Sequence, residues 1–246
     1  MIQGLYKLFD HWHTNGTVWL VSDTHFNDQE LYIGTKHVMR ENASDYVKLI
    51  NSKVGKNDTL IHLGDVGDIN AVRSIKGYKV LVMGNHDSGR RNYERHIHKE
   101  KFDSKVYTKP QILEIMQEKY PHCRITISGE YYDTQHEPFS YYLAFADNCL
   151  FDEIYEGPLV ISEKLILSHE PIQGLISMMN IHGHIHEFNH KNDKYHYNIC
   201  PDATGHFEPI NFNRLIKEGV ASHISSIHRQ TIDKATKRAR KRDKKK

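Results

Sequence analysis

The sequence predicts an α/β layered fold, and three observations predict it. Five short β-branched or aliphatic runs recur along the chain, the stretch between the first two has helical periodicity, and every run leads into residues rich in Asp, Asn, His and Gly. Strand, helix, strand is the pattern of a βαβ unit with a largely parallel sheet.

In chain order the runs are TVWLV (17–21), TLIHL (59–63), KVLVM (79–83), KLIL (164–167) and MMNI (178–181), each short and apolar enough for a buried strand. Between the first two, Ala43, Tyr46, Val47, Ile50 and Val54 recur at three- and four-residue steps, which places them on one face of a helix. From about Ser88 to Gly157 the pattern loosens. Pro110 opens a short helix, PQILEIMQEKY, followed by a strand-like CRITIS and an aromatic, turn-rich YYDTQHEPFSYYLAF. Residues 88–157 therefore read as an insertion within one domain spanning 1–228, and the aromatics from Tyr131 to Phe145 as packing for that insertion or, alternatively, as a surface that stacks on a nucleobase.

Bulk properties exclude several classes. Of the 246 residues 38% are hydrophobic and 10% aromatic, as in a globular protein, and no apolar run approaches the roughly 18 residues of a spanning helix. The first residues lack the basic and apolar succession of a secretory signal. Cys123, Cys149 and Cys200 are widely spaced without a CxxC, against both a disulfide framework and a thiolate zinc site. A cytoplasmic, reducing compartment is expected. The net charge of +2 conceals a basic tail: residues 229–246 hold ten Lys and Arg against two Asp, leaving the rest of the chain acidic. The tail is expected to be disordered, and either attracts nucleic-acid phosphates or simply solubilises the end.

The residues just past each strand carry the chemistry. The runs lead into Asp23-Thr24-His25, Gly64-Asp65, Gly84-Asn85-His86-Asp87, Ser168-His169 and Gly183-His184-Ile185-His186. Ligands bind at the carboxyl ends of strands in open α/β sheets, so loops distant in sequence can meet at one cleft. Carboxylates, an amide oxygen and imidazoles without a thiol suit Mn²⁺, Fe²⁺, Zn²⁺ or Ni²⁺. Seven donors exceed what one ion needs and suggest two ions sharing a carboxylate. The three cysteines fall outside these motifs and are expected to lie outside the cluster.

In that order, D-x-H, G-D, G-N-H-D, H and G-H-x-H resemble the calcineurin-like metallophosphoesterases, over about residues 17–200. The stretch GPLVISEKLILSHEPI (157–172) is similar to the small bacterial and phage-type branch. The resemblance implies a layered β-sandwich flanked by helices, with a two-metal site at the strand ends. It implies one ion on Asp23, His25, Asp65 and His186 and a second on Asp65, Asn85, His169 and His184, Mn²⁺ being the first choice. His86 is then the general acid facing the substrate phosphate, and Asp68 the carboxylate that orients it. The implied reaction is hydrolysis of a phosphodiester or phosphomonoester on a nucleotide, cyclic nucleotide or nucleic-acid end, by attack of a hydroxide shared between the ions. A nuclease using the basic tail and a non-catalytic scaffold of the same fold are the alternatives. In the first motif Asn27-Asp28 stand where that branch has Gly-His, a departure that bears on substrate preference. His62 and His182 are expected to pack behind the site, Ser22 and Thr24 to bond the turn backbone, and Gly84 and Gly183 to allow tight turns. Arg90, Arg91 and Arg95 are candidates to reach a substrate phosphate or to form a solvated face.

Overall fold

A computed structural model describes residues 16–28, 42–87, 96–125, 127–131, 140–187 and 191–225. The basic tail, Arg90, Arg91 and Arg95 lie outside them. The elements in chain order are β1 (Val18–Val21), α1 (Ala43–Lys53), β2 (Thr59–His62), a 3-10 helix (Ile69–Ser74), β3 (Tyr78–Val82), β4 (Ile97–Asp103) and α2 (Lys109–Lys119). Next come β5 (Ile127–Tyr131), β6 (Ser140–Ala146), β7 (Glu153–Tyr155), β8 (Leu159–Ser162), β9 (Leu165–Leu167), β10 (Met179–His182) and β11 (His196–Asn198). The last are α3 (Pro201–Thr204), β12 (Ile210–Asn211) and α4 (Phe212–Lys217).

Two mainly parallel sheets form the body. One has the order β12-β1-β2-β3-β7, with β12 antiparallel; the other has the order β11-β10-β9-β8, with β8 antiparallel. Side-chain alternation explains the layering. Val18, Leu20, Ile61, Val80 and Val82 face Leu165, Leu167, Met179 and Ile181 across a buried interface between the sheets. Val21, Leu60 and Leu81 point the opposite way and pack on Tyr46, Val47 and Ile50 of α1. Both faces of the central strands are covered, which is why their sequences are continuously apolar. The mixed α/β architecture and the layered sandwich agree with expectation, and each of the five predicted strands lies within one residue of its expected bounds.

Residues 97–146 add a three-stranded antiparallel sheet, β4-β6-β5, with α2 packed on it through Ile112, Met116, Tyr141, Leu143 and Phe145. Here the expectation needs correction. The segment read as aromatic and turn-rich contains β6, whose SYYLAFA is nearly all buried, and strand β5 begins at Ile127 rather than at Cys123. β4 (IHKEKFD) was not foreseen: it is an edge strand whose Lys99, Lys101 and Asp103 are exposed, so it carries no apolar run.

The register sets the site. Val18 to Val21 pair with Thr59 to His62, which pair in turn with Tyr78 to Leu81, so the parallel strands end level. The motifs emerge at that common edge.

Candidate metal centre

The turns that carry the motifs hold unusual backbone. Asp23, His25, Asp65 and His184 all have positive φ, between 40° and 66°, a region non-glycine residues seldom occupy and that is retained where surrounding structure imposes it. The surroundings do so here. The Asp23 amide donates to the Gly64 carbonyl at 2.9 Å and the His25 amide to the Asp65 carbonyl at 3.0 Å, so the first two loops are laced together. The buried carboxylate of Asp87 accepts from the amides of Asp65 (2.8 Å), Val66 (3.0 Å) and Gly84 (2.8 Å), clamping the second loop to the third. The His184 amide donates to Asp23 at 3.1 Å, tying in the last loop.

Gly84 and Gly183 are required by space rather than by a glycine-only turn. Neither has positive φ, but a Cβ on Gly84 would lie 2.3 Å from Asp65 Oδ1, and one on Gly183 would lie 1.8 Å from Ser22 Oγ and 2.2 Å from Asp23 Oδ2. Beyond Gly183 the Ile185 amide donates to the Gly183 carbonyl at 2.7 Å, a γ-turn about His184 that sends His184 and His186 in different directions.

Two clusters result. Donor atoms of Asp23, His25, Asp65 and His186 all lie within 4.8 Å of one another, as do those of Asp65, His169 and His184. Asp65 belongs to both: its Oδ2 is 3.6 Å from His25 Nε2 and 3.3 Å from His169 Nε2. Asn85 joins the second cluster through Oδ1, 2.9 Å from His169 Nε2 and 3.1 Å from His184 Nδ1. His86 donates its amide to Asp65 Oδ1 at 2.9 Å, and its ring centroid is 5.5 Å from that of His25. The structure thus brings together Asp23, His25, Asp65, Asn85, His86, His169, His184 and His186. Asp68 lies on the same loop, where its carboxylate caps the 3-10 helix at the Asn70 amide (3.0 Å) and accepts from Asn27 (3.1 Å).

The electrostatics pair buried carboxylates with imidazoles whose pKa values they shift. Burial opposes ionisation of Asp23, yet His186 and His169 hold its pKa well below the ordinary value. Asp65 is lowered despite burial, chiefly by the hydrogen bond from His169. Conversely, burial works against charge on the imidazoles, but the carboxylates win. Asp65 and Asp23 push His169 up to about 9, and Asp202 with Asp23 push His186 up to about 12. Protons on these rings stand in for the positive charge the buried carboxylates require. The donor set of carboxylate, amide oxygen and imidazole, and the glycine-width cradle around it, fit borderline divalent ions.

Other residues sit behind the rings. His62 is buried and neutral, its pKa pulled down to about 3 by burial; its Nε2 bonds Thr24 Oγ1 at 2.9 Å, and that hydroxyl donates to the Val66 carbonyl. His182 is buried with Nδ1 on the Gly183 carbonyl at 2.8 Å. Ser22 donates to Asp23. The roles of four residues near the site were not foreseen: Asp28, 3.3 Å from His25 Nδ1; Asp87; Asp202, hydrogen-bonded to His186 Nδ1; and Cys200, whose sulfur is 3.5 Å from the same nitrogen. The expectation that every cysteine stays away from the cluster is therefore corrected. The Cys200 thiol nevertheless faces the outer nitrogen, and burial raises its pKa to about 11, so it remains a thiol. Asp87 stands in the third motif as a residue type, but nothing in the sequence marks it as a clamp on backbone amides; Asp202, after Pro201, carries no signal at all.

Two imidazole clusters sharing the Asp65 carboxylate form a donor set that fits divalent metal ions. The calcineurin-like phosphoesterase family model matches residues 16–198, and the chain belongs to that family, whose members bind divalent metals and hydrolyse phosphoesters. No curated protein matches the chain. A solved structure of a protein of unknown function from Aquifex aeolicus is 19% identical, covers 83% of this chain and 100% of its own, and superposes with a TM-score of 0.47. Among the described residues no helix is long and apolar enough to cross a membrane.

Proposed function

We propose that this chain is a two-metal phosphoesterase acting on a phosphodiester or phosphomonoester of nucleotide-like character, with Mn²⁺ as its working metal and a reducing, cytoplasmic setting. One ion is assigned to Asp23, His25, Asp65 and His186, and the other to Asp65, Asn85, His169 and His184. The observation that carries the reading is the position of Asp65 Oδ2 between His25 Nε2 and His169 Nε2.

When bound, such ions supply a nucleophile at neutral pH and neutralise charge building up on phosphorus. The chain's own residues do the rest. Asp65 joins the two clusters while its other oxygen anchors the His86 amide, so the acid is placed relative to the shared ligand. His86 donates a proton to the departing alkoxide. Asp68 is assigned to the orientation of His86 in addition to its cap. A cavity of about 340 Å³ opens beside Asn85 and His169, lined also by Val82, Met83, Ile172, Glu156 and Glu170, and offers room for the esterified group.

The test is hydrolysis of bis(4-nitrophenyl) phosphate and of a nucleotide panel by the full chain, stripped of metal and reloaded with Mn²⁺. Turnover that needs the metal, and a fall of about 100- to 10,000-fold in His86→Ala, are expected. Absence of metal-dependent turnover on every ester would sink the reading, and equal rates in the variant would remove His86 from its role.

A further inference from the structure

We infer that Asp202 is a positioning residue for the ion held by Asp23, His25, Asp65 and His186: it fixes the ring of His186 so that Nε2, not Nδ1, faces the metal. The inference rests on the two-metal reading above.

The outer nitrogens of the imidazoles distinguish the two clusters. A histidine that binds through Nε2 needs Nδ1 to carry its hydrogen and to find an acceptor, and that acceptor sets both tautomer and ring plane. His169 uses the Leu63 carbonyl at 2.8 Å, a neutral acceptor. His25 has Asp28 at 3.3 Å. His186 has Asp202, hydrogen-bonded through Oδ2 to Nδ1, while its Nε2 lies 3.4 Å from Asp23 Oδ1. The first cluster thus has a carboxylate behind each imidazole, whereas the second has a carbonyl behind His169. A carboxylate acceptor makes the imidazole a stronger donor to a cation.

Asp202 is held in place for this. It is 1% exposed, in the single turn of α3 just past strand β11. Asn198, at the end of β11, ties that segment to the histidine turn: its Nδ2 donates to the Ile185 carbonyl at 2.7 Å, and its Oδ1 accepts from the Cys200 amide at 2.9 Å. One side chain therefore locks the distance between the segment that carries His186 and the segment that carries Asp202. Burying a carboxylate is unfavourable unless a partner compensates, and His186 is such a partner. A separate ion on His186, Cys200 and Asp202, whose donors also lie within 4.8 Å, would take the Nδ1 here assigned to the hydrogen bond with Asp202, so the two arrangements exclude each other at this ring.

The test uses the full chain with Mn²⁺ alone as probe, counting bound ions and their affinities by calorimetric titration of the stripped protein. Wild type is expected to take two ions. In Asp202→Asn, which keeps the shape, one ion is expected to weaken by about 10- to 100-fold and the other to stay within twofold, with the circular dichroism of the metal-free protein unchanged. Two ions bound with wild-type affinities in the folded variant, or both weakened equally, would overturn the inference and leave the phosphoesterase reading standing. A wild type that binds no Mn²⁺ overturns that reading and the inference with it. A measurement independent of any variant is the ¹⁵N shift of the His186 ring in wild type loaded with Zn²⁺: protonated Nδ1 and metal-shifted Nε2 are expected, and the reverse assignment would overturn the proposal.

Discussion

At the scale of single residues, the site depends on what is absent as much as on what is present. Gly183 lacks the one carbon that would collide with Ser22 and Asp23. With alanine there, something must yield among a hydroxyl, a buried carboxylate and the His184 amide that bonds to it, and no side of this contact faces solvent: Ser22 and Asp23 are both almost wholly buried. Gly183→Ala is therefore expected to destabilise the protein by about 1–3 kcal/mol, the range for forced overpacking, and to weaken Mn²⁺ binding at both clusters, since Asp23 and His184 belong to different ones. Urea unfolding together with metal titration checks this. A stable variant with wild-type metal affinity would mean that the close approach is not needed.

At the scale of elements, the five strands that lead into the motifs were legible because they are short continuous apolar runs, and the helix α1 because one of its faces is apolar. Strands β4 and β6 were not: β4 is half exposed and charged, and the apolar run of β6 sits within an aromatic stretch bounded by turn formers and was read as part of it. The motifs at the strand ends were legible as residue types, and a level register brings them together. Residues that hold the loops to one another were not legible, because a buried Asp bonding backbone amides is indistinguishable in sequence from a turn Asp. Asp87 is the clearest case. It satisfies three amides of two loops at once, and leaving such donors buried and unpaired costs about 1–3 kcal/mol or more. Asp87→Ala is expected to lose roughly 3 kcal/mol in chemical denaturation and to lower the Mn²⁺-dependent turnover by at least tenfold, through displacement of Asp65 and Asn85. Full stability in this variant would show that the loops are held by other means.

At the scale of the whole molecule, the charge arrangement couples folding to pH and to metal. In the metal-free protein His169 has a pKa of about 9 and His186 of about 12, against an unfolded value near 6.5. Both are raised, so their contribution to stability is fully present below pH 6.5 and is lost as pH rises through the folded values. Between pH 6.5 and 9 the folded chain keeps protons that the unfolded chain has released. Stability should therefore fall by about 1.4 kcal/mol per pH unit for each group that keeps its proton. Asp23 and Asp65 are lowered, so their contribution is present above about pH 4 and fades in stronger acid. The metal-free protein should accordingly be most stable between about pH 4 and 6.5 as far as these groups decide it. Divalent ions displace the protons from both rings, so their binding tightens with rising pH. The decline above pH 6.5 should disappear when Mn²⁺ is saturating, because the charge that holds the carboxylates is then no longer titratable. Thermal unfolding at pH 6.5, 7.5 and 9, with chelator and with excess Mn²⁺, separates the two forms. A melting temperature that falls with pH only in chelator is expected, and parallel curves with and without the metal would show that these buried charges are balanced by some other group.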